Sequence, residues 1–201
     1  DARRIFVDGV AGVVEGIEVF APTTLPEAAA HLNGVSLLQP VRLDIDELFS
    51  KPGPEGMLNL SDVRGQEHVK RAITVAAAGA HNLLLVGQPG SGKSMIAKRL
   101  QTILPPMTLS EALETTKVWS VAGKLTAQEP LKTRRPFSDP HHTSTYPAVV
   151  GGGIEPKPGA ISLAHNGILF LDEFPEFDTK VKEALRQPLE DRRITIARSS
   201  T

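Results

Sequence analysis

The stretch that decides the fold is Gly87-Gln88-Pro89-Gly90-Ser91-Gly92-Lys93-Ser94, which fits the pattern G-x-x-x-x-G-K-[ST]. Its glycines let successive backbone N–H groups point into one small volume, and they carry no Cβ that would block a phosphate. Lys93 is predicted to place its ammonium between the β- and γ-phosphates of a triphosphate, and Ser94 to offer its hydroxyl to Mg²⁺. The candidate nucleotide-binding residues are this stretch and the Met95 that follows it.

Both flanks of this loop favour a strand–loop–helix arrangement. Residues 81–86 end in the apolar run Leu83-Leu84-Leu85-Val86, which predicts a buried parallel strand. Residues 95–104 have apolar side chains at helical spacing and are followed by Pro105-Pro106, so a helix is predicted there. A helix that begins at the loop adds its own affinity for phosphate at its N-terminus. The stretch therefore resembles the Walker A loop of P-loop NTPases.

A second apolar run ends in two carboxylates. Residues 168–171 read Ile-Leu-Phe-Leu, and Asp172 and Glu173 come directly after them. This is the pattern of a second central strand whose acids emerge at the carboxyl edge of an open α/β sheet, where ligands bind. We predict that Asp172 holds Mg²⁺ through water, and that Glu173 orients and deprotonates the attacking water.

Composition limits the classes of protein to consider. The 201 residues are 40% hydrophobic and 22% charged, which is ordinary for a soluble globular protein. The net charge of −1 shows no general attraction to nucleic acid, and the absence of cysteine excludes disulfides and thiolate metal sites. No apolar run has the length of a membrane span, and no signal-like core follows the N-terminus. We expect a cytoplasmic protein with no membrane partner.

The chain divides into a small unit, a linker and a larger domain. Residues 1–38 are predicted to form a small α+β unit, with a strand over Glu15–Phe20 and a helix over Leu25–Leu32. Proline and glycine are dense in residues 39–58, which favours a linker without a packed element. Residues 59–201 form the larger domain. Both ends look cut, so we expect a segment of a longer protein.

Two other stretches are candidate binding sites. The turn at Val63-Arg64 precedes a helix predicted over residues 66–78, and it either receives an adenine against its backbone or is an ordinary helix entrance. The segment Pro136–Gly159 contains His141-His142. Adjacent side chains point to opposite faces of a strand, so a structured polar loop is favoured over a metal site.

Several stretches together resemble the magnesium-chelatase-like AAA+ proteins, and within them the bacterial ComM/YifB competence-protein branch. They are Asp62–His68, Gly87–Ser94, Pro140–Thr143, Gly151–Gly153, Asn166–Glu173 and Leu189–Asp191. The resemblance covers nearly the whole chain. It implies an α/β P-loop (AAA+) core with a parallel sheet flanked by helices, preceded in residues 1–38 by the end of a Lon-protease-like domain. Pro136–Gly159 would then be the helix-2 insert, and Arg192 onward the start of the presensor hairpin, so the chain ends before the sensor 1, arginine-finger and lid segments.

The resemblance also implies a function. Members form hexamers that use ATP and Mg²⁺, and the ComM branch acts on DNA as a branch-migration helicase in natural transformation. Lys93 and Glu173 would be catalytic, Ser94 and Asp172 would hold the metal, and DNA would contact the Gly151–Gly153 loop in the hexamer pore. The arginines 192, 193 and 198 either contact DNA as well or are solvated and pair with the neighbouring acids.

Two alternatives stay open at this point. One is a magnesium-chelatase-type ATPase subunit for metal insertion, although that subunit lacks a Lon-like piece. The other is a scaffold that responds to nucleotide without turnover, although Asp172 and Glu173 argue against it. By the resemblance, this segment alone is expected to bind ATP but to hydrolyse it poorly.

Overall fold

The computed structural model describes residues 4–6, 18–41, 44–50, 58–126 and 129–196. By its internal contacts the chain falls into two compact units. The first consists of Asp1–Gly53 with Leu125–Thr133, and the second of Pro54–Lys124 with Arg134–Thr201. Within the described ranges, no helix has both the length and the apolar character needed to cross a membrane.

The first unit contains a parallel strand pair and a helix. Strand β1 (Arg4–Phe6) pairs with strand β2 (Glu18–Phe20), and helix α1 spans Leu25–Leu32, as predicted. Thr24 caps α1 by accepting a hydrogen bond from the Glu27 N–H, which satisfies a donor that has no partner within the helix. The buried His31 packs its ring against Phe20, with ring centroids 4.4 Å apart.

The predicted linker is not free of regular structure. Helix α2 spans Ile45–Ser50, where the proline and glycine content favoured no packed element. Asp44 accounts for the difference, because its carboxylate accepts a hydrogen bond from the Glu47 N–H at 3.1 Å and so caps the first turn. That residues 39–58 link two domains stays a prediction.

The second unit begins with three helices packed on apolar clusters. Helix α3 spans Glu67–Gly79, helix α4 spans Lys93–Leu100 and continues as a 3-10 turn at Gln101–Ile103, and helix α5 spans Leu109–Val121. A 3-10 helix over Leu60–Asp62 precedes them. Val63, Ile73 and Ile96 form one buried cluster, which joins the start of the unit to α3 and α4.

The central sheet is smaller than predicted. Strand β3 (Phe137–Ser138) and strand β6 (Ile168–Leu169) form a parallel pair, so residues 168–171 do begin as a strand beside another. The buried strand predicted for residues 81–86 was wrong, because these residues have no strand conformation and Leu84 and Val86 are 79% and 88% exposed. A strand needs a neighbour to bond its backbone N–H and C=O groups, and none of the described segments pairs with this one.

The segment 136–159 is more ordered than a polar loop. After β3 come helix α6 (Tyr146–Val149) and an antiparallel hairpin of β4 (Gly151–Gly152) and β5 (Lys157–Pro158). Val149 is fully buried and Val150 is 5% exposed. The glycines at 151–153 have φ between +104° and +106°, a backbone shape that side chains oppose. The glycine triplet thus forms part of a hairpin rather than interrupting the fold.

The remaining elements follow the hairpin. The helical segment over residues 179–191 is interrupted at Leu185. Pro188 lacks the N–H that would bond the carbonyl of Ala184, and its ring crowds that carbonyl. Val149, Phe177 and Val181 form a second buried cluster. The elements are α7 (Ala160–Leu163), a 3-10 helix over Phe174–Glu176, α8 (Thr179–Ala184) and α9 (Arg186–Asp191).

Arg135 joins several segments just before β3. Its guanidinium forms a two-pronged pair with Glu111, with Nη2 3.1 Å from both carboxylate oxygens. It also donates to the carbonyl oxygens of Pro105 and Asn166, at 2.6 and 2.9 Å. The Thr108 N–H at the start of α5 lowers the pKa of Glu111, with burial opposing and Arg135 adding to the effect.

We expect Arg135→Ala to lower the free energy of unfolding by about 2 kcal/mol, because several charge-assisted hydrogen bonds at a partly buried site are removed together. The Arg135 side chain is 16% exposed. A matched control is Lys70→Ala, which breaks the exposed pair with Glu67 at 3.0 Å on α3 and should cost about 0.5 kcal/mol or less. Urea unfolding measures both, and equal decreases in the two variants would contradict the role given to Arg135.

Candidate nucleotide-binding site

The glycine-rich loop has the backbone shape that its sequence predicts. Gly90 and Gly92 have φ of +76° and +86°, values that residues with a Cβ rarely adopt. A Cβ built on Gly87 would lie 3.0 Å from the hydroxyl of Ser91, so the loop closes tightly on itself. Gly92 is also the N-cap of α4, so the loop runs directly into the helix.

Lys93 extends back over this loop. Its ammonium donates hydrogen bonds to the carbonyl oxygens of Gly87 and Gln88, at 2.8 and 2.9 Å. The positive charge is therefore held at the loop rather than directed into solvent. That position suits an ammonium expected to meet the phosphates that the loop N–H groups bind.

One hydrogen bond joins the two motifs that the sequence singled out. The Ser94 hydroxyl donates to a carboxylate oxygen of Asp172 at 2.6 Å, across 78 positions of sequence. A hydroxyl and a carboxylate side by side are hard oxygen ligands of the kind Mg²⁺ prefers. The two residues predicted to hold the metal are thus neighbours, and their donor set fits it.

Glu173 stands beside this pair. Its backbone is left-handed, with φ of +54°, and its N–H donates to the other Asp172 oxygen at 3.1 Å. Its carboxylate is 65% exposed and lies 3.2 Å from Nδ1 of His142. Left-handed backbone is uncommon outside glycine and is over-represented at functional sites. A carboxylate at this place is accessible to water, as its predicted role requires.

The adenine site predicted at Val63 and Arg64 is only indirectly described. The Val63 side chain is 3% exposed and packs with Ile73 and Ile96, so it belongs to the core and only its backbone remains for a ligand. Arg64 is exposed. Because Ile96 lies on α4, this turn is packed near the helix that follows the loop. Adenine binding here stays a prediction.

Comparison with known proteins identifies the family. A family model described as magnesium chelatase, subunit ChlI, matches residues 59–201. The chain belongs to the magnesium chelatase family. Membership implies an AAA+ P-loop fold and ATPase chemistry, which agrees with the loop and acidic pair described above.

Several curated relatives match nearly the whole chain. The competence protein ComM of Haemophilus influenzae is 47% identical over 190 residues, which is 94% of this chain and 37% of that protein. An uncharacterised protein, YifB, of Salmonella typhimurium is 44% identical over 189 residues, 94% of this chain and 36% of that protein. The chain therefore spans little more than a third of the length of these relatives.

A third similarity is shorter. An archaeal Lon protease of Archaeoglobus fulgidus is 37% identical over 71 residues, which is 35% of this chain and 11% of that protein. An alignment of that length extends beyond residues 1–38. It therefore does not single out those residues, and their identification as the end of a Lon-like domain stays a prediction.

The two segments predicted to contact DNA differ in structure and in how much of each the structure describes. Gly151 is buried in the hairpin, where a Cβ would lie 2.8 Å from the carbonyl oxygen of Lys157, so this glycine is packed within the fold. Ile154, at the hairpin turn, is 75% exposed. Arg192 and Arg193 are exposed but form no strand through residue 196, while Arg198 lies outside the described residues. In this member of the magnesium chelatase family, any DNA contact at 192–193 would come from irregular backbone.

Sequence reasoning missed His142. It weighed the adjacent histidines 141 and 142 as metal ligands, favoured a structured polar loop instead, and did not foresee a contact with Glu173. Among the described residues, no group of three or more His, Cys, Asp or Glu side chains is placed to hold a metal ion. Sequence reasoning also missed β3, which places Asp139 3.7 Å from Lys98 of α4. The signal available was the apolar Phe137 ahead of the acid, but a two-residue strand leaves no periodicity to detect.

Proposed function

We propose that this chain is the ATP-binding and ATP-hydrolysing AAA+ part of a ComM-like motor that forms a hexameric ring and acts on DNA. The observation that carries the ATPase part is the Ser94–Asp172 hydrogen bond at 2.6 Å. It joins the glycine-rich loop to the acidic pair, which is the arrangement that phosphoryl transfer to water needs.

Each residue of the site has a definite task in this proposal. The loop N–H groups and Lys93 bind the phosphates and place them against the start of α4. Ser94 and Asp172 would hold Mg²⁺, which when bound neutralises charge on the phosphate oxygens. Glu173 orients a water molecule and accepts its proton. Val63 and Arg64 line the adenine with backbone atoms.

The decisive experiment is the ATPase rate of the full-length protein, measured with and without branched DNA. The proposal predicts hydrolysis that branched DNA stimulates. A second outcome is hydrolysis that DNA leaves unchanged but that a protein inserting metal into a tetrapyrrole stimulates. This result would favour metal insertion, the role that the family description suggests. Nucleotide binding without any turnover would favour a scaffold. The similarity to ComM and YifB extends over 94% of this chain, and this supports the motor over the other two candidates.

DNA binding is expected to depend steeply on salt, because a hexamer repeats each arginine around a ring and phosphate contacts release counterions. Replacing Arg193 and Arg198 together by alanine should lower the slope of log K against log [salt] by about 1 for each phosphate that is no longer neutralised. Arg71→Ala is the control, since Arg71 is an exposed arginine on α3, which belongs to neither segment predicted to contact DNA. Fluorescence anisotropy at several salt concentrations measures the slope. An unchanged slope in the double variant would place the DNA contacts elsewhere.

A further inference from the structure

The carboxylate of Glu173 is held by a neighbouring side chain. Its backbone is fixed, because the Glu173 N–H donates to Asp172 and its carbonyl accepts from the Glu176 N–H at 2.8 Å. The carboxylate itself is 65% exposed. Within the described residues its polar side-chain partner is His142, with Nδ1 3.2 Å from Oε2. The orientation of this carboxylate therefore depends on His142.

The His142 ring is itself held in place by its neighbours. Its centroid lies 4.2 Å from that of His141 on one side, and Phe177 meets it edge-on at 6.5 Å. Phe177 is 2% exposed and belongs to the second buried cluster. Because the cluster fixes Phe177, the His142 imidazole is anchored to the core although its partner carboxylate is in solvent.

The two histidines have different hydrogen-bonding roles. Nδ1 of His141 accepts the Thr143 N–H at 3.3 Å and lies 2.8 Å from the Thr143 hydroxyl, so His141 is bonded within its own turn. An ionised carboxylate only accepts hydrogen bonds, so Nδ1 of His142 must carry the proton that it donates to Glu173. The donated bond occupies one carboxylate oxygen and leaves the other to meet water.

We propose that His142 is a positioning residue for Glu173. This rests on the proposed function, in which Glu173 accepts a proton from the attacking water. A glutamate side chain in solvent samples many rotamers, and proton transfer needs one of them at hydrogen-bonding distance from the water. The His142 N–H, 3.2 Å from Oε2, restricts the rotamers that the Glu173 side chain samples and leaves its other oxygen for the water. His142 does not touch substrate and acts only through Glu173.

The test is a set of His142 variants in the full-length protein. His142→Phe keeps a ring between His141 and Phe177 but removes the donor, and kcat for ATP should fall about tenfold with KM unchanged. The amide nitrogen of His142→Asn can occupy the place of Nδ1, so this variant should recover most of the wild-type rate. The amide of His142→Gln reaches the place of Nε2 instead, so this variant should not recover the wild-type rate. His141→Phe is the matched control and should turn over like the wild type.

Comparison with Glu173→Gln separates the two proposals. If Glu173→Gln abolishes turnover while His142→Phe turns over normally, the positioning role is wrong and the function stands. If Glu173→Gln turns over like the wild type, the function assigned to Glu173 is wrong and the role of His142 fails with it. In the Glu173→Gln background, His142→Phe should cause no further decrease in rate. A full further decrease there, or an Asn variant as slow as Phe, would also overturn the proposal.

Discussion

Turnover of ATP is expected to fall at least about a hundredfold when Glu173 is replaced by glutamine. The change keeps the shape of the side chain and removes the group that accepts a proton from water. Glutamine still accepts a hydrogen bond from His142, which lies 3.2 Å from Oε2, so the local fold should be kept. ATP binding should persist, because the loop and Lys93 are untouched. Steady-state ATPase assays together with nucleotide-binding measurements test both halves of this expectation.

The matched control for this variant is Glu176→Gln. Glu176 is exposed and lies three positions further on, in the 3-10 helix Phe174–Glu176. The Glu176→Gln substitution makes the same chemical change outside the site, so turnover of this variant should equal that of the wild type. Equal turnover of Glu173→Gln and the wild type would reject the role of Glu173 as the base. A similar fall in turnover in both variants would point to an effect of net charge instead.

ATP affinity is expected to fall by about 2 kcal/mol or more, roughly thirtyfold in Kd, when Lys93 is replaced by alanine. The ammonium is held against the loop by the Gly87 and Gln88 carbonyl oxygens, so it is already placed for the phosphates. Binding then needs little rearrangement of this side chain, and alanine offers the phosphates no charge-assisted hydrogen bond in its place. Isothermal titration calorimetry of the full-length protein measures the change.

Lys98→Ala is the control for Lys93→Ala. Lys98 lies on the same helix, and its side chain is 50% exposed and pairs with Asp139 at 3.7 Å. An exposed pair of this kind contributes little, so ATP affinity should stay within about twofold of the wild type. Unchanged affinity in Lys93→Ala would refute the assignment of the loop as a phosphate site. An equal fall in both variants would mean that the effect comes from the reduced positive charge alone.

Much of the candidate site was predictable from local sequence. The glycines at 87, 90 and 92 specify a backbone shape directly, because only the missing Cβ permits it. The acids at 172 and 173 are placed by the apolar run ahead of them, since a strand delivers its last residues to the sheet edge. The two local patterns predicted one shared site, and the Ser94–Asp172 hydrogen bond at 2.6 Å agrees with that prediction.

Helix ends were also predictable where a side chain caps them. Helix α1 begins after Thr24 and covers Leu25–Leu32, as the sequence indicates. Helix α5 begins after Thr108, which caps it, and ends at Val121. Trp119 on its last turn donates to the Leu163 carbonyl oxygen at 3.1 Å, a hydrogen bond to a distant segment that the local pattern does not contain.

What the sequence by itself determined is the chemistry of the loop and the acidic pair, because those residues act through their own backbone and side-chain groups. What only the tertiary structure decided depends on partners far away in sequence. Residues 81–86 have strand-like composition, yet Leu84 and Val86 are exposed because no described segment pairs with them. Val149 is buried because it packs with Phe177 and Val181 in the second buried cluster. His142 meets Glu173 beside that cluster, where its ring contacts Phe177. Pairing and burial are properties of two segments together, so neither segment's own pattern specifies them.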